Sequence, residues 1–398
     1  MWNALIGRAG DSCRLPSPGR AGAENQILAR NDDLVEMTRQ LMEVGPEIGE
    51  IARRVGVFRE TLRYRFQRYF VQRGLLVQAN PYYAKLGLRR LLIVAKLSQS
   101  LEARASTVMP ILGERCYLAR VTETTFEGLS LMHVAVPSDL LRDCVRFYEG
   151  LRQAGIFTEM EVLGFGDGRS VPMRPEYYDF SNGSWEYDWR TDASKAPPVQ
   201  GRAAPPEKYD SNDLSILNEL DADADQTMLE VSRRLDLSHR TALYHYRKHV
   251  LDRGLIRGYR IQWQVTRRGE RQSKRRPYLD VALLIRGTGG LKAAKDLARL
   301  GQLPFLCFEA FDPNYYAEFF VPSAAYMDLL KLIREVSVGI GAKPQVFILD
   351  QAKSLKFGIP CDLYDEERKR WRLDTPGAVA RLESLKVNAS SQGGDAAR

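Results

Sequence analysis

The chain has few of the residues that build covalent or metal frameworks: five cysteines and four histidines in 398 residues. Cys13, Cys116, Cys144, Cys307 and Cys361 form no CxxC pair and are odd in number. That argues against a disulfide scaffold or a zinc ribbon and for thiols serving as small apolar side chains in a reducing compartment. No apolar run approaches the roughly 18 residues needed to cross a bilayer. The N-terminal MWNALIGRAGDSCRLPSPGR has too short an apolar stretch for a secretory signal. A GxGxxG turn, a Walker-type loop and a metal triad are also missing. These absences predict a cytoplasmic protein with no membrane partner, no cofactor, no metal and no catalytic residues, and hence not an enzyme.

What is present is basic charge and internal repetition. Lys and Arg number 58 against 50 Asp and Glu, giving a net charge of +8 and a pI of about 9.2. Such an excess favours an acidic partner, most often nucleic acid. IGEIARRVGVFRETLRYRFQRYFVQRGLL (48–76) aligns without a gap to MLEVSRRLDLSHRTALYHYRKHVLDRGLI (228–256), offset by 180 residues. The identical pairs include Thr61/Thr241, Tyr64/Tyr244, Arg73/Arg253 and Gly74/Gly254. A second echo, at offset 185, relates HVAVPSDLLRDCVRFYEGL (133–151) to EFFVPSAAYMDLLKLIREV (318–336). Repetition at this scale predicts two halves with the same modules in the same order.

In the first module of the second half, Leu214, Ile216, Leu217 and Leu220 share a helix face. Asp225 or Thr227 can cap a second helix, Leu235-Asp236-Leu237 makes a tight turn, and Ser238 stands where the third helix needs an N-cap. This spells helix-turn-helix. LIRGYRIQWQV, the basic RRGERQSKRR (267–276) and YLDVALLI then predict a wing of strand, loop and return strand. With Ala242 and Tyr246 inward, the DNA-reading face is expected to comprise Ser238, His239, Arg240, Thr241, Tyr244, Arg247 and Lys248. Arg267, Arg268, Arg271, Lys274, Arg275 and Arg276 would add phosphate contacts from the wing. The first half offers Arg59, Thr61, Arg63, Tyr64 and Arg68, with Glu60 and a weaker wing making it the poorer reader. His245 and His249 lie four apart, as a metal clamp would require. No carboxylate or cysteine sits at a helpful spacing, so all three histidines of this stretch read as variable surface of a recognition helix.

The second module runs strand, helix, strand, strand, helix, strand in each half, the ferredoxin-like split βαβ order. Helix-turn-helix followed by βαββαβ resembles the leucine-responsive regulator/AsnC family of bacterial and archaeal transcription regulators. RRLDLSHRT (233–241), RGLIRGYRIQW (253–263) and FDPNYYAEFFVPS (311–323) carry the resemblance. It implies an α+β fold of two winged helix-turn-helix domains alternating with two ferredoxin-like (RAM/ACT-like) domains. The expected boundaries are a flexible arm 1–30, winged units 31–87 and 209–276, ferredoxin-like units 88–168 and 277–350, a linker 169–208 and a partly disordered extension 351–398. It also implies a sequence-specific regulator that binds double-stranded DNA and forms an internal pseudo-dimer, with possible homo-oligomers and a possible effector of unknown identity. The sequence departs from the family in a third helix one residue longer before Gly254. It departs again in Phe126 and Phe311, where a hairpin glycine is usual, so no effector residues carry over. The competing readings are an effector-binding or assembly protein that has lost DNA, and a sirohaem-decarboxylase-like enzyme. The enzyme would need histidines or a clustered basic pocket in the βαββαβ modules, where the sequence offers only His133.

Overall fold

The structure is a computed structural model that describes residues 31–73, 76–180, 184–187, 204–262, 278–287 and 291–394. Three helices open it: α1 (Asn31–Val44), α2 (Ile48–Val55) and α3 (Arg59–Tyr69). Strand β1 (Leu76–Pro81) leads into β2 (Leu88–Leu97), α4 (Ala105–Arg115), β3 (Leu118–Thr124), β4 (Ser130–Pro137), α5 (Leu141–Gln153) and β5 (Phe157–Ser170). Three more helices follow: α6 (Ser211–Ala222), α7 (Met228–Arg234) and α8, which starts as His239–Tyr244 and runs on through His245–Leu251. The same pattern returns in β6 (Ile256–Gln262), β7 (Tyr278–Ile285), α9 (Leu291–Gly301), β8 (Leu306–Pro313), β9 (Tyr315–Pro322), α10 (Tyr326–Ile340) and β10 (Pro344–Lys356). A short hairpin at Tyr364–Asp365 and Arg370–Trp371 and a helix, α11 (Thr375–Gly394), are the last of the described elements.

The helices of 211–251 are fixed by their own side chains. Asp210 and Asp213 form a reciprocal capping box at the start of α6, and Thr227 and Glu230 form another at α7. The Ser238 hydroxyl accepts from the Thr241 amide at 3.0 Å, as expected of an N-cap. Asp236 takes the left-handed φ of 53° that turns the chain between α7 and α8. In the first helix trio a glycine, Gly56, does this with φ 72°. The order of buried and exposed positions along 51–70 recurs along 231–250 everywhere except at Arg63 and Leu243.

β2 to β5 lie in the order β5-β2-β4-β3, and β7 to β10 in the order β8-β9-β7-β10. These are the strand orders of the split βαβ arrangement. The two sheets then join edge to edge, β10 to β3 and β5 to β8, into a closed eight-stranded barrel. Closure needs the unusual length of β5 and β10, each of which continues past its own sheet into the neighbour. Helices cover the outside, so β4 is buried at every position. Leu92, Leu131, Phe165, Leu284, Phe308 and Phe347 fill the interior.

Two expectations are corrected. β6 does not pair with the strand at 278–285 to make a wing. β7 has both edges taken, by β9 and β10, while β6 pairs antiparallel with β1, from Leu76↔Gln262 to Pro81↔Ile256. The basic residues Arg267, Arg268, Arg271, Lys274, Arg275 and Arg276 lie outside the described residues, as does the arm 1–30. The extension after 350 is also more ordered than its composition implied. Residues 344–356 are strand, and α11 buries Ala378 and Leu382. The Arg104 guanidinium holds the Leu385 carbonyl at 3.1 Å.

The β1–β6 ribbon ties the two helix trios together. The turn between α1 and α2 packs on β6, and Gly45 (φ 77°) is the contact point. A methyl group there would lie 2.5 Å from the Tyr259 ring, whereas one at Gly56 would meet nothing within 4 Å. Gly45→Ala is therefore expected to cost more than Gly56→Ala, for which left-handed backbone alone accounts for about 1–2 kcal/mol. Urea unfolding of the two variants, read by tryptophan fluorescence, checks the order.

Candidate nucleic-acid interface

On α8, His239, Arg240, Arg247 and Lys248 are exposed, Tyr244 is 55% exposed, and Thr241 is half-buried. On α3, Arg59, Arg63, Tyr64 and Arg68 are exposed and Thr61 is half-buried. The two faces differ in free charge. Arg63 is paired with Glu60 at 3.0 Å, and Arg68 donates to the Tyr64 hydroxyl. On α8, Lys248 is paired with Asp252 at 3.1 Å, but Arg240 and Arg247 make no ion pair among the described residues. The start of α3 also lacks a side-chain cap, its N-cap being the exposed Phe58.

The reading of His245 and His249 as exposed surface is corrected. His245 is buried and His249 half-buried, and both Nδ1 atoms turn onto Asp213, at 2.8 and 3.1 Å. The carboxylates that spacing along α8 failed to supply come from the start of α6, 32 and 36 residues upstream of the two histidines. From His245 to Leu251 the backbone bonds widen to the i+5 pattern. Only His239 of the three histidines stays on the surface.

A second constellation sits inside the barrel. His133 Nε2 on β4 lies 2.9 Å from Arg120 Nη2 and 2.8 Å from Glu318 Oε1. Arg120 is also paired with Glu318, and the Tyr316 hydroxyl donates to the same carboxylate oxygen at 2.6 Å. Burial, with Arg120 adjacent, lowers His133 to about 4, so its imidazole is neutral at pH 7. Burial would raise Glu318, but Arg120 and His133 hold its carboxyl well below the usual range. Asp280 moves the other way, pushed up to about 7 by burial and by Glu318. No sequence motif signals Arg120 or Glu318, because closing the barrel brings together residues 198 apart.

Between the barrel and the ribbon runs a basic cleft. One chamber of about 560 Å³ is lined by Arg169, Arg174, Arg257 and Arg260, and a neighbouring one of about 280 Å³ adds Arg89 and Arg90. Arg169 is bound to Glu309 at 2.6 Å and Arg260 to Asp221 at 2.7 Å, while Arg90 lies 4.4 Å from the Tyr83 ring centre.

Residues 209–248, covering α6, α7 and most of α8, match the model of winged helix-turn-helix DNA-binding domains. No curated protein matches the chain. Among solved structures, the siroheme decarboxylase NirDL is similar at 14% identity and a TM-score of 0.51, over 88% of this chain and 99% of that one. Its co-complex with an iron-uroporphyrin III analogue follows at 13% identity and 0.48, over 90% and 99%. PH0061 covers 36% of this chain and 96% of its own, at 18% identity and 0.27. The chain thus combines a helix trio, matched by a winged helix-turn-helix model over 209–248, with a large antiparallel sheet in a fold shared with NirDL.

The expectation that the chain is not an enzyme is corrected on that finding, since the fold it shares is that of an enzyme. A cleft lined by arginines is present where the βαββαβ modules meet the ribbon, with Glu43 and Glu176 also on its wall. Its arginines come from the two strands β2 and β5, the segment after β5, and β6, and they converge only in three dimensions. Among the described residues no helix is long and apolar enough to cross a membrane.

Because the folded imidazole titrates near 4 rather than 6.5, the His133 contribution is complete above pH 6.5 and lost as pH falls through 4. Asp280 opposes this trend, so the test compares variants. The stability deficit of His133→Gln, from urea unfolding, should shrink steadily from pH 7 to pH 4. A constant deficit would contradict the assignment.

Proposed function

We propose that the chain is a sequence-specific, double-stranded-DNA-binding transcription regulator in which α8 and α3 read two half-sites. The observation that carries this is Arg240 and Arg247, exposed and without ion pairs among the described residues, flanking Tyr244 on a helix that a winged helix-turn-helix model matches. Unpaired cations on a capped helix are available to phosphates, and Thr241 and Tyr244 near its start suit base edges. α3 is the weaker reader, its Arg63 being neutralised by Glu60. The matching order of buried and exposed positions in the two trios supports a duplicated architecture. The basic run 267–276 is assigned to phosphate contact.

Fluorescence anisotropy on duplexes selected from a random pool tests this. Combined Arg240→Ala, Arg247→Ala and Lys248→Ala should reduce the salt dependence by about one unit of slope per lost phosphate contact. The combined Arg59, Arg63 and Arg68 substitutions should do so less. Binding that ignores salt, or that survives both sets, sinks the reading.

The basic cleft favours a second reading. A site rimmed by arginines suits a substrate carrying several carboxylates, and NirDL is named for a tetrapyrrole decarboxylase. In that case iron-uroporphyrin should shift its Soret band on mixing with the protein, and Arg257→Ala should weaken the shift. An unchanged spectrum removes this reading.

A further inference from the structure

We infer that Asp210, Asp213, His245 and His249 form a zinc-class metal site that clamps α8 to α6. The four ligand atoms lie within 4.8 Å of one another. The nitrogen–oxygen separations are 2.8 and 3.5 Å from His245 to Asp213 and Asp210, and 3.1 and 3.6 Å from His249. A tetrahedral ion with bonds of about 2.0–2.1 Å sets its ligand atoms about 3.3 Å apart, so these spacings accommodate one with small adjustment. Two imidazoles with two carboxylates is a borderline donor set, suited to zinc rather than to magnesium or calcium.

Three further observations point the same way. The carboxylates are already oriented from behind: Asp210 Oδ1 accepts from the Asp213 amide at 3.1 Å, and Asp213 Oδ2 accepts from the Asp210 amide at 3.0 Å. Asp213 is fully buried, and its ion pairs among the described residues are to the two histidines alone. In the other trio the corresponding acid, Asp33, is met by Arg65 at 3.3 Å, a cation supplied by the chain itself. Here that arginine is replaced by His245, and Tyr69 by His249, so two acids face two imidazoles. Finally, the site lies in the i+5 segment, a distortion common where a helix serves a ligand. Arg247 and Lys248 do not oppose a cation, because both point to solvent.

The site is coupled to the surface. The Tyr244 ring stands edge-on to both imidazoles, at 5.7 Å from His245 and 5.2 Å from His249. A bound ion fixes those rings and with them the most exposed aromatic of α8. This consequence for DNA rests on the proposed function, whereas ion binding does not.

The test uses the full chain, stripped with chelator and then dialysed against Zn²⁺ or Co²⁺ without DNA. One Zn²⁺ per chain should be retained, and Co²⁺ should give the intense visible bands of a tetrahedral centre. His249→Gln should bind at least about tenfold more weakly, and Asp252→Asn should bind as wild type. His245→Arg, which restores the pairing seen at Arg65–Asp33, should fold without metal and retain none. No retained zinc, an octahedral cobalt spectrum, or retention undiminished in both histidine variants overturns the site. Each of these is read without DNA, so a failure here is distinguishable from a failure to bind DNA.

Discussion

β1 and β6 satisfy each other's backbone groups across about five residue pairs, and neither has another strand partner among the described residues. A strand edge left open would be costly and prone to aggregation, so this pairing constrains where both helix trios sit. Side chains reinforce it. Arg260 reaches Gln78 on the opposite strand at 3.1 Å and Asp221 at the end of α6 at 2.7 Å. Lys356, at the end of β10, holds the same aspartate at 2.8 Å, and burial lowers its ammonium to about 8. One carboxylate thereby connects the ribbon, a helix trio and the barrel. The trios are cross-packed, the α1–α2 turn resting on β6 and the end of α6 bonding to β1, where the Ala224 amide donates to the Val77 carbonyl at 2.8 Å.

The two trios have the same outline and different chemistry. Around 211–251, capping boxes and a serine cap fix every helix start, whereas α2 and α3 lack side-chain caps. The α3 cations are partly spent on internal acids, and those of α8 largely are not. The clamp between the first and third helices is an arginine–aspartate pair in one and a histidine–aspartate cluster in the other. Such asymmetry fits the proposal that α3 is the weaker reader and α8 the stronger.

Local signals were legible in the sequence. Ser238, Thr227 and the Asp236 turn act as read, the βαββαβ element order was correct, and the exposed positions Arg240, Tyr244, Arg247 and Lys248 followed from placing Ala242 and Tyr246 inside. What failed was long-range. A wing looks the same whether its strand pairs with the next strand or with one 180 residues away, since both require only an alternating run. Arg120, His133 and Glu318 come from three strands, and the cleft arginines from several elements, so no spacing rule joins them. The burial of His245 and His249 is not legible along α8 because their partners lie on another helix. In the extension after 350, helix α11 acquires its partners only by docking, so composition alone misled.

The β1–β6 ribbon joins the two trios as a single element. Native-state hydrogen exchange of the full chain, with fragments covering 76–81 and 256–262, addresses it directly. The ribbon predicts that amides of both segments are protected to a similar degree and lose protection together as denaturant is raised. Rapid exchange of either strand, while the barrel strands stay protected, would contradict it.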